Sequence, residues 1–276
     1  MMQRLCLTAL LMIPAAPVLA GGSAWDDIRD ALYGRQALLH GDAVIAIDAP
    51  YRTPDDARAD LGARVTAPEG TTLSEVTLVL DDNPMPVSAV FRFDQPVPMF
   101  DFDVTMRVNG PTPMHVVART SDGRLFATET FVKTTGQGAC AAPPGTDPAL
   151  ALETLGDMRI AMDGQGATLA DDLLLAAAGA DLPAAPLNRI AVDIDHPSHS
   201  GMQMDQVSLL YTPMRFVETV KIELDGAAYV EMTGSISLSE DPRIGISVPA
   251  TAQGVEVTMI DTDGTVSHAM RDLSGY

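Results

Sequence analysis

Leu73-Ser-Glu-Val-Thr-Leu-Val-Leu80, Asp81-Asp-Asn-Pro-Met-Pro86 and Ser88-Ala-Val-Phe-Arg-Phe93 read as strand, turn and strand. The outer runs are rich in β-branched and aromatic residues and show the period-two alternation of half-buried strands. The aspartates, asparagine and prolines between them are turn formers. The same pattern continues outward at Val44-Ile-Ala-Ile-Asp48, Ala63-Arg-Val-Thr66, Phe100 to Val108, Met114 to Thr120 and Arg124 to Val132. Asn109-Gly-Pro111 and Ser121-Asp-Gly123 supply turns between them. Seven short strands at this spacing predict an antiparallel sandwich of immunoglobulin-like build, without the Cys-Trp-Cys signature. Upstream, Ser23 caps a helix with Asp26 three residues on, and Trp25, Ile28, Leu32 and Leu39 fall at helical spacing. A short amphipathic helix is therefore expected on this sandwich, with Trp25 as core filler.

A second strand series begins at Arg189-Ile-Ala-Val-Asp-Ile194. It continues through Phe216 to Leu224, Tyr229 to Thr233, Ile244 to Val248, Gly254 to Ile260 and Thr265 to His268. Asp225-Gly226 and Asp263-Gly264 carry the two-residue signal of type I′ hairpins. The fold class expected is thus all-β: two immunoglobulin-like antiparallel sandwiches joined by a partly helical connector. Residues 141–188 form that connector, with a helix opened by Asp147-Pro148, an early strand at Met158-Arg-Ile-Ala161 and a helix from Leu173 to Ala178. The divisions are 1–20, 21–140, 141–188 and 189–276.

The first twenty residues read as a secretory signal, with Arg4 in the n-region, Leu5 to Ile13 apolar, and Val18-Leu-Ala20 before the cleavage point. A periplasmic protein without a membrane span is expected, since no later stretch is long and apolar enough to cross a bilayer. A net charge of −20 argues against nucleic acid, anionic membrane surfaces and unaided capture of small anions. Of the two cysteines, Cys6 leaves with the signal. The mature chain keeps one thiol, which cannot form an internal disulfide and is either buried and inert or kept for intermolecular chemistry.

That thiol is Cys140, in Lys133-Thr-Thr-Gly-Gln-Gly-Ala-Cys140-Ala-Ala-Pro-Pro-Gly145. No bulky side chain anchors the segment between Thr134 and Gly145; Gly136 and Gly138 give it a flexible approach, Pro143 and Pro144 a stiffer exit, and the flexible arm is read as Gly136, Gly138 and Gly145. The reading is of a sulfur presented to solvent on a doubly tethered arm, able to move about 20 Å. With only Lys133 nearby in sequence, nothing lowers the thiol pKa strongly. A second cluster, His196, His199, Met202 and Met204, combines imidazole and thioether donors of the kind that suit copper. Enzyme signatures are missing: there is no second cysteine for a dithiol couple, no Cys-x-x-Cys-His haem site, no Gly-x-Ser-x-Gly elbow and no Gly-rich phosphate loop. A pair of Cys140 with His115, His196 or His268 has no support from spacing.

Val132-Lys-Thr-Thr-Gly-Gln-Gly-Ala-Cys140 resembles the carboxyl-terminal arm of SoxY, and Asp82-Asn-Pro-Met-Pro86 with Ala89-Val-Phe91 is similar to an Asn-Pro-x-Pro segment of that family. His196-Pro197, Ser200-Gly201, Phe216-Val217 and the hairpin Val257 to Gly264 resemble SoxZ. The order of the two, with the segment His196 to Asp205, is similar to fused SoxYZ-like carriers associated with quinoprotein dehydrogenases. SoxY ends just after a glycine-flanked cysteine, whereas here Ala139 and Ala141 flank Cys140 and the chain continues. The resemblance implies a non-enzymatic carrier that holds sulfur intermediates covalently on Cys140, with no other cofactor. It implies pairing of the SoxY-like and SoxZ-like halves and, as partners, periplasmic sulfur-processing or redox enzymes, among them a quinoprotein dehydrogenase. The alternatives from the residues alone are a copper-binding module on His196–Met204 and an adaptor that docks a dehydrogenase.

Overall fold

The computed structural model describes residues 24–136, 138–141, 145, 148–165, 187–205 and 208–274. The expected signal at 1–20, the Ser23 cap and the connector helix at 173–178 lie outside the described residues.

The first half contains helix α1 (Ala24–Tyr33) and strands β1 (Leu38–His40), β2 (Ile45–Asp48), β3 (Ala59–Thr66), β4 (Leu73–Leu80), β5 (Val87–Val97), β6 (Met99–Met106), β7 (Thr112–Thr120) and β8 (Leu125–Val132). Helix α2 (Pro148–Glu153) and β9 (Met158–Gln165) follow. The second half contains β10 (Leu187–Ile194), β11 (Val217–Leu224), β12 (Ala227–Thr233), β13 (Arg243–Pro249), β14 (Gly254–Asp261) and β15 (Val266–Asp272). Each run read as a strand from the sequence forms one. The three-residue β1, which pairs in parallel with β8, is the addition.

The all-β sandwich forms as expected, but its halves do not stand apart as two sandwiches. They share both layers. One sheet runs β1-β8-β7-β4-β5-β12-β11-β14-β15 and the other β2-β3-β6-β13-β10-β9. The joins are antiparallel, β5 to β12 with Phe93 opposite Val230 and Phe91 opposite Met232, and β6 to β13 with Val104 opposite Ile244 and Phe102 opposite Ile246. Left separate, each half would present open edges at β5, β6, β12 and β13; joining them pairs those backbone groups.

Phe91, Phe93, Phe100 and Phe102 pack between the layers beside this join, with centroid separations of 4.7 Å for Phe91–Phe102 and Phe93–Phe100. Buried polar groups tie the halves together as well. Ser235, Ser237 and Ser239 are each 1% exposed or less. Ser235 Oγ donates to the Ser88 carbonyl at 3.0 Å, Ser237 Oγ meets Asn83 Nδ2 at 2.9 Å, and Ser239 Oγ meets Thr105 Oγ1 at 2.8 Å. Arg189 pairs with Asp103 across the join.

Two local readings are corrected. At Asp225-Gly226 both residues have positive φ, 52° and 79°, as a type I′ turn needs; at Asp263-Gly264 only Gly264 does. There the Asp261 carboxylate accepts the Asp263 and Thr265 amides and builds a wider loop. Helix α1 buries no residue fully. Trp25 is only half-buried, and instead of filling the core it stacks on His115 with centroids 3.8 Å apart and planes 7° from parallel.

Candidate functional site

After β8 the chain leaves the sheet and crosses to the second half. Lys133 stays fixed: its amide donates to the Tyr51 carbonyl at 2.8 Å, and its ammonium sits 4.6 Å from the Tyr51 ring centroid. The Thr135 amide donates to Asp56 Oδ2 at 2.8 Å, and the Thr135 hydroxyl donates to the same oxygen. Gly136 and Gly138 have φ of 80° and 70°, the left-handed region that a β-carbon disfavours. A turn of 3-10 helix, Ala139–Ala141, then carries Cys140.

Cys140 is completely buried, and Ala139 is 3% exposed. This overturns the expectation of a presented sulfur on a freely moving arm. Ala139, which looks too small to anchor a loop, is small enough to fit against the junction, and hydrogen bonds to the backbone do the anchoring. Asn109 Oδ1 accepts the Cys140 amide at 3.3 Å, and the Ser200 hydroxyl donates to the Cys140 carbonyl. Past the cysteine, the exposed Gly145 amide donates to Glu240 Oε2 at 2.7 Å. Asn109 belongs to the first half and Ser200 and Glu240 to the second, so the arm is latched across both.

Burial sets the chemistry of the thiol. Loss of water around a thiolate pushes the Cys140 pKa from 9.0 up to about 11, against the pull of the Arg107 guanidinium. At neutral pH the seated sulfur is protonated and a poor nucleophile. Arg107 follows β6, is 3% exposed, and donates from Nη1 to the carbonyls of Ser198 at 2.7 Å and Leu238 at 2.5 Å. Among the described residues no carboxylate forms an ion pair with it; the negative groups that support its charge are Cys140, when ionised, and Glu240. The cation beside the sulfur is therefore Arg107 and not Lys133.

Asn83, 3% exposed, organises this corner. Its Nδ2 donates to the Arg107 carbonyl and meets Ser237 Oγ, both at 2.9 Å, while its Oδ1 accepts the Asn109 amide at 2.9 Å. Asn83 holds Asn109, and Asn109 holds Cys140. An open cleft of about 290 Å³ lies beside the arm, lined by Arg58, Arg107, Ala139, Gly145, Gln203 and Glu240 among others.

Of the four residues of the proposed copper cluster, His196 is taken up by other contacts. His196 is 1% exposed and both ring nitrogens are in use: Nδ1 accepts the Ser198 amide at 2.9 Å, and Nε2 faces Asp261 Oδ2 at 3.4 Å. Burial lowers its pKa to about 4, so the ring is neutral and structural. His199 is half-buried with Nε2 unpartnered, Met202 is half-buried, and Met204 is 38% exposed on a bridge to Tyr211. No group of three or more His, Cys, Asp or Glu side chains suited to a metal occurs among the described residues. Of the other histidines, His115 lies against Asp81, His40 pairs at the surface with Asp42, and His268 bonds Thr258.

The family models follow the same division. One, described as sulfur oxidation protein SoxY, matches residues 29–140 and so ends on Cys140; the other, sulphur oxidation protein SoxZ, matches residues 184–271. The chain is a fused SoxYZ-like protein. The layers shared by its halves are thus a SoxY domain and a SoxZ domain paired within one chain, a combination that fits a carrier role in sulfur oxidation. Curated proteins gave no match. Among solved structures, the sulfur carrier protein SoxY from Chlorobium limicola f thiosulfatophilum is similar at 22% identity, over 41% of this chain and 97% of that one, with a TM-score of 0.33. A superoxide reductase (neelaredoxin) from Ignicoccus hospitalis is similar at 12% identity, over 33% and 80% of the two chains, with a TM-score of 0.26. Likeness at these TM-scores carries no functional weight.

Sequence reading located Cys140 and its glycines but missed Arg107, Asn109, Ser200 and Glu240. Asn83 lies inside the quoted Asn-Pro-x-Pro segment, and Ser200 inside the quoted SoxZ-like segment. Those two had a signal. Arg107, Asn109 and Glu240 had none, because each meets the arm only through the fold.

Proposed function

We propose that this SoxYZ-like chain carries sulfur intermediates covalently on Cys140 and presents them in the periplasm to partner enzymes, within a pathway linked to a quinoprotein dehydrogenase. The observation that carries this reading is the latched thiol. The one cysteine of the SoxY and SoxZ domains sits at their junction, held by hydrogen bonds from both sides and shielded from water. A structural cysteine needs no removable latch, whereas a carrier needs a closed state that protects its load and an open state that delivers it. Glu240 and Gly145 form one of the bonds that hold the arm, at its solvent edge.

The chemistry divides between the chain and its partners. Joining the Cys140 thiol to a second sulfur that arrives as an anion, through a disulfide-type bond, releases one proton and two electrons, so a redox partner must accept the electrons. The SoxYZ-like chain supplies the sulfur atom, the arm that seats it and, in Arg107, a fixed positive charge that favours the thiolate. It is read as a carrier and not an enzyme.

The deciding experiment is intact mass of the protein purified from its native periplasm without reductant, beside Cys140→Ser. Reductant-labile sulfur-containing adducts on the wild type alone are expected. A bare thiol in the wild type, with Cys140→Ser silent in cells, would leave the adaptor reading in its place.

A further inference from the structure

Between β10 and β11 the SoxZ domain sends out a hairpin-like loop whose root and tip have opposite character. Its ladder is built from the Arg215 amide to the His199 carbonyl at 3.0 Å, the Thr212 amide to the Gln203 carbonyl at 2.8 Å, and the Asp205 amide to the Leu210 carbonyl at 2.9 Å. At the root, Ser200 donates its hydroxyl to the Cys140 carbonyl and its amide to Gln203 Oε1 at 3.2 Å. Gln203 is 1% exposed. At the tip, Leu209, Leu210 and Tyr211 are 68, 69 and 66% exposed, and Met214 is 50% exposed.

Three consecutive large apolar side chains two-thirds in water are not the scattered apolar exposure of an ordinary surface. Leu209 also has φ of 58°, a left-handed conformation that its β-carbon disfavours, and its amide closes the turn on the Asp205 carbonyl at 2.9 Å. Asp205 is exposed beside the tip, and Asp263, 56% exposed in its side chain, lies against Arg215 at the hairpin's other strand.

We infer that this tip is the docking element for the enzyme that exchanges cargo on Cys140, and that the enzyme offers an apolar recess rimmed by basic side chains. The inference rests on the carrier reading. Charge complementarity selects the occupant: on a chain of net charge −20, an anionic membrane or a second copy would bring like charge to the acidic flank, whereas a basic rim would meet it. Continuity selects the enzyme: the ladder that presents Leu209–Tyr211 ends at His199 and Arg215, and His199 directly precedes the serine that holds the Cys140 arm. A partner seated on the tip is therefore positioned to receive the sulfur when the Ser200 bond opens.

The test compares wild type with the triple variant Leu209→Ser, Leu210→Ser, Tyr211→Ser, both expressed in native cells and weighed intact without reductant. Melting temperature and the alkylation rate of Cys140 in isolation serve as controls, and both are expected unchanged because the three side chains are solvent-exposed. The adduct on the variant is expected to fall at least ten-fold relative to wild type. Loading of wild-type protein by the native periplasmic extract is expected to slow as salt is added. An unchanged adduct on the variant, or loading indifferent to salt, overturns the inference. So does a wild-type dimer in light scattering that the variant splits into monomers, since the tip is then a self-interface. A wild type without adduct defeats the carrier reading and this one with it, whereas a loaded wild type beside an equally loaded variant defeats the docking alone.

Discussion

Ser200→Ala and Glu240→Ala each remove one hydrogen bond from the arm that seats Cys140. A hydrogen bond contributes about 1 kcal/mol net, and the Glu240 bond belongs at the same level despite its charge because it is exposed to solvent. With about 1.4 kcal/mol per factor of ten, each change should raise the open population of the arm about five-fold, and the pair about twenty-five-fold if they act independently. Alkylation reads this directly, because iodoacetamide reacts with thiolate that it can reach. The seated thiol, with its pKa near 11 in place of 9.0, holds about a hundred-fold less thiolate at neutral pH, before any steric shielding is counted. Wild-type protein should therefore label at least about a hundred-fold more slowly than the same chain in urea. The single variants should label about five-fold faster than wild type, and the double variant faster again, with melting temperature little changed. Labelling is followed by intact mass, with Cys140→Ser as the blank. Wild-type labelling as fast as the unfolded chain would sink the buried thiol. Variants that label at the wild-type rate would sink the latch.

Asn83→Ala strips three hydrogen bonds, two of them fully buried, and leaves the Arg107 carbonyl and Asn109 amide short of partners, so it should cost about 3 kcal/mol in denaturant unfolding and speed Cys140 labelling by freeing Asn109. Between pH 9 and 11 the native thiol keeps a proton that the unfolded one loses, so the contribution of Cys140 is whole below pH 9 and is lost as pH rises through about 11. Wild type should lose up to about 3 kcal/mol relative to Cys140→Ser across that window, and parallel stability curves would contradict the shift. Trp25 is the one tryptophan, and it stacks on His115, whose pKa burial lowers below 6.5. Its fluorescence should be quenched as the imidazole protonates below pH 6.5, and His115→Ala should abolish that transition.

The strands were legible from residue pattern alone. Alternation in Leu73–Leu80 or Gly254–Asp261 is a local property, since successive side chains on a pleated strand face opposite sides. Turn residues at Asp81–Pro86 or Asp225-Gly226 act over a few bonds, and so the order of the elements, the all-β class and the SoxY-then-SoxZ arrangement were all legible. Cys140 and its glycines were legible too, as a lone thiol in a segment without bulky side chains. What that segment lacks was misread as freedom. Its anchors are backbone amides and carbonyls, which every residue carries and which no pattern reveals until the fold brings Asn109, Ser200 and Glu240 to them. That the halves share two sheets emerges only from long-range pairing, because edge strands look like any others in sequence. The tertiary structure alone placed Arg107 beside a sulfur thirty-three residues away and turned His196 from a ligand candidate into a buried partner of Asp261. Burial, ion pairing and thiol acidity depend on distances across the chain, and those distances exist only once β5 meets β12 and β6 meets β13.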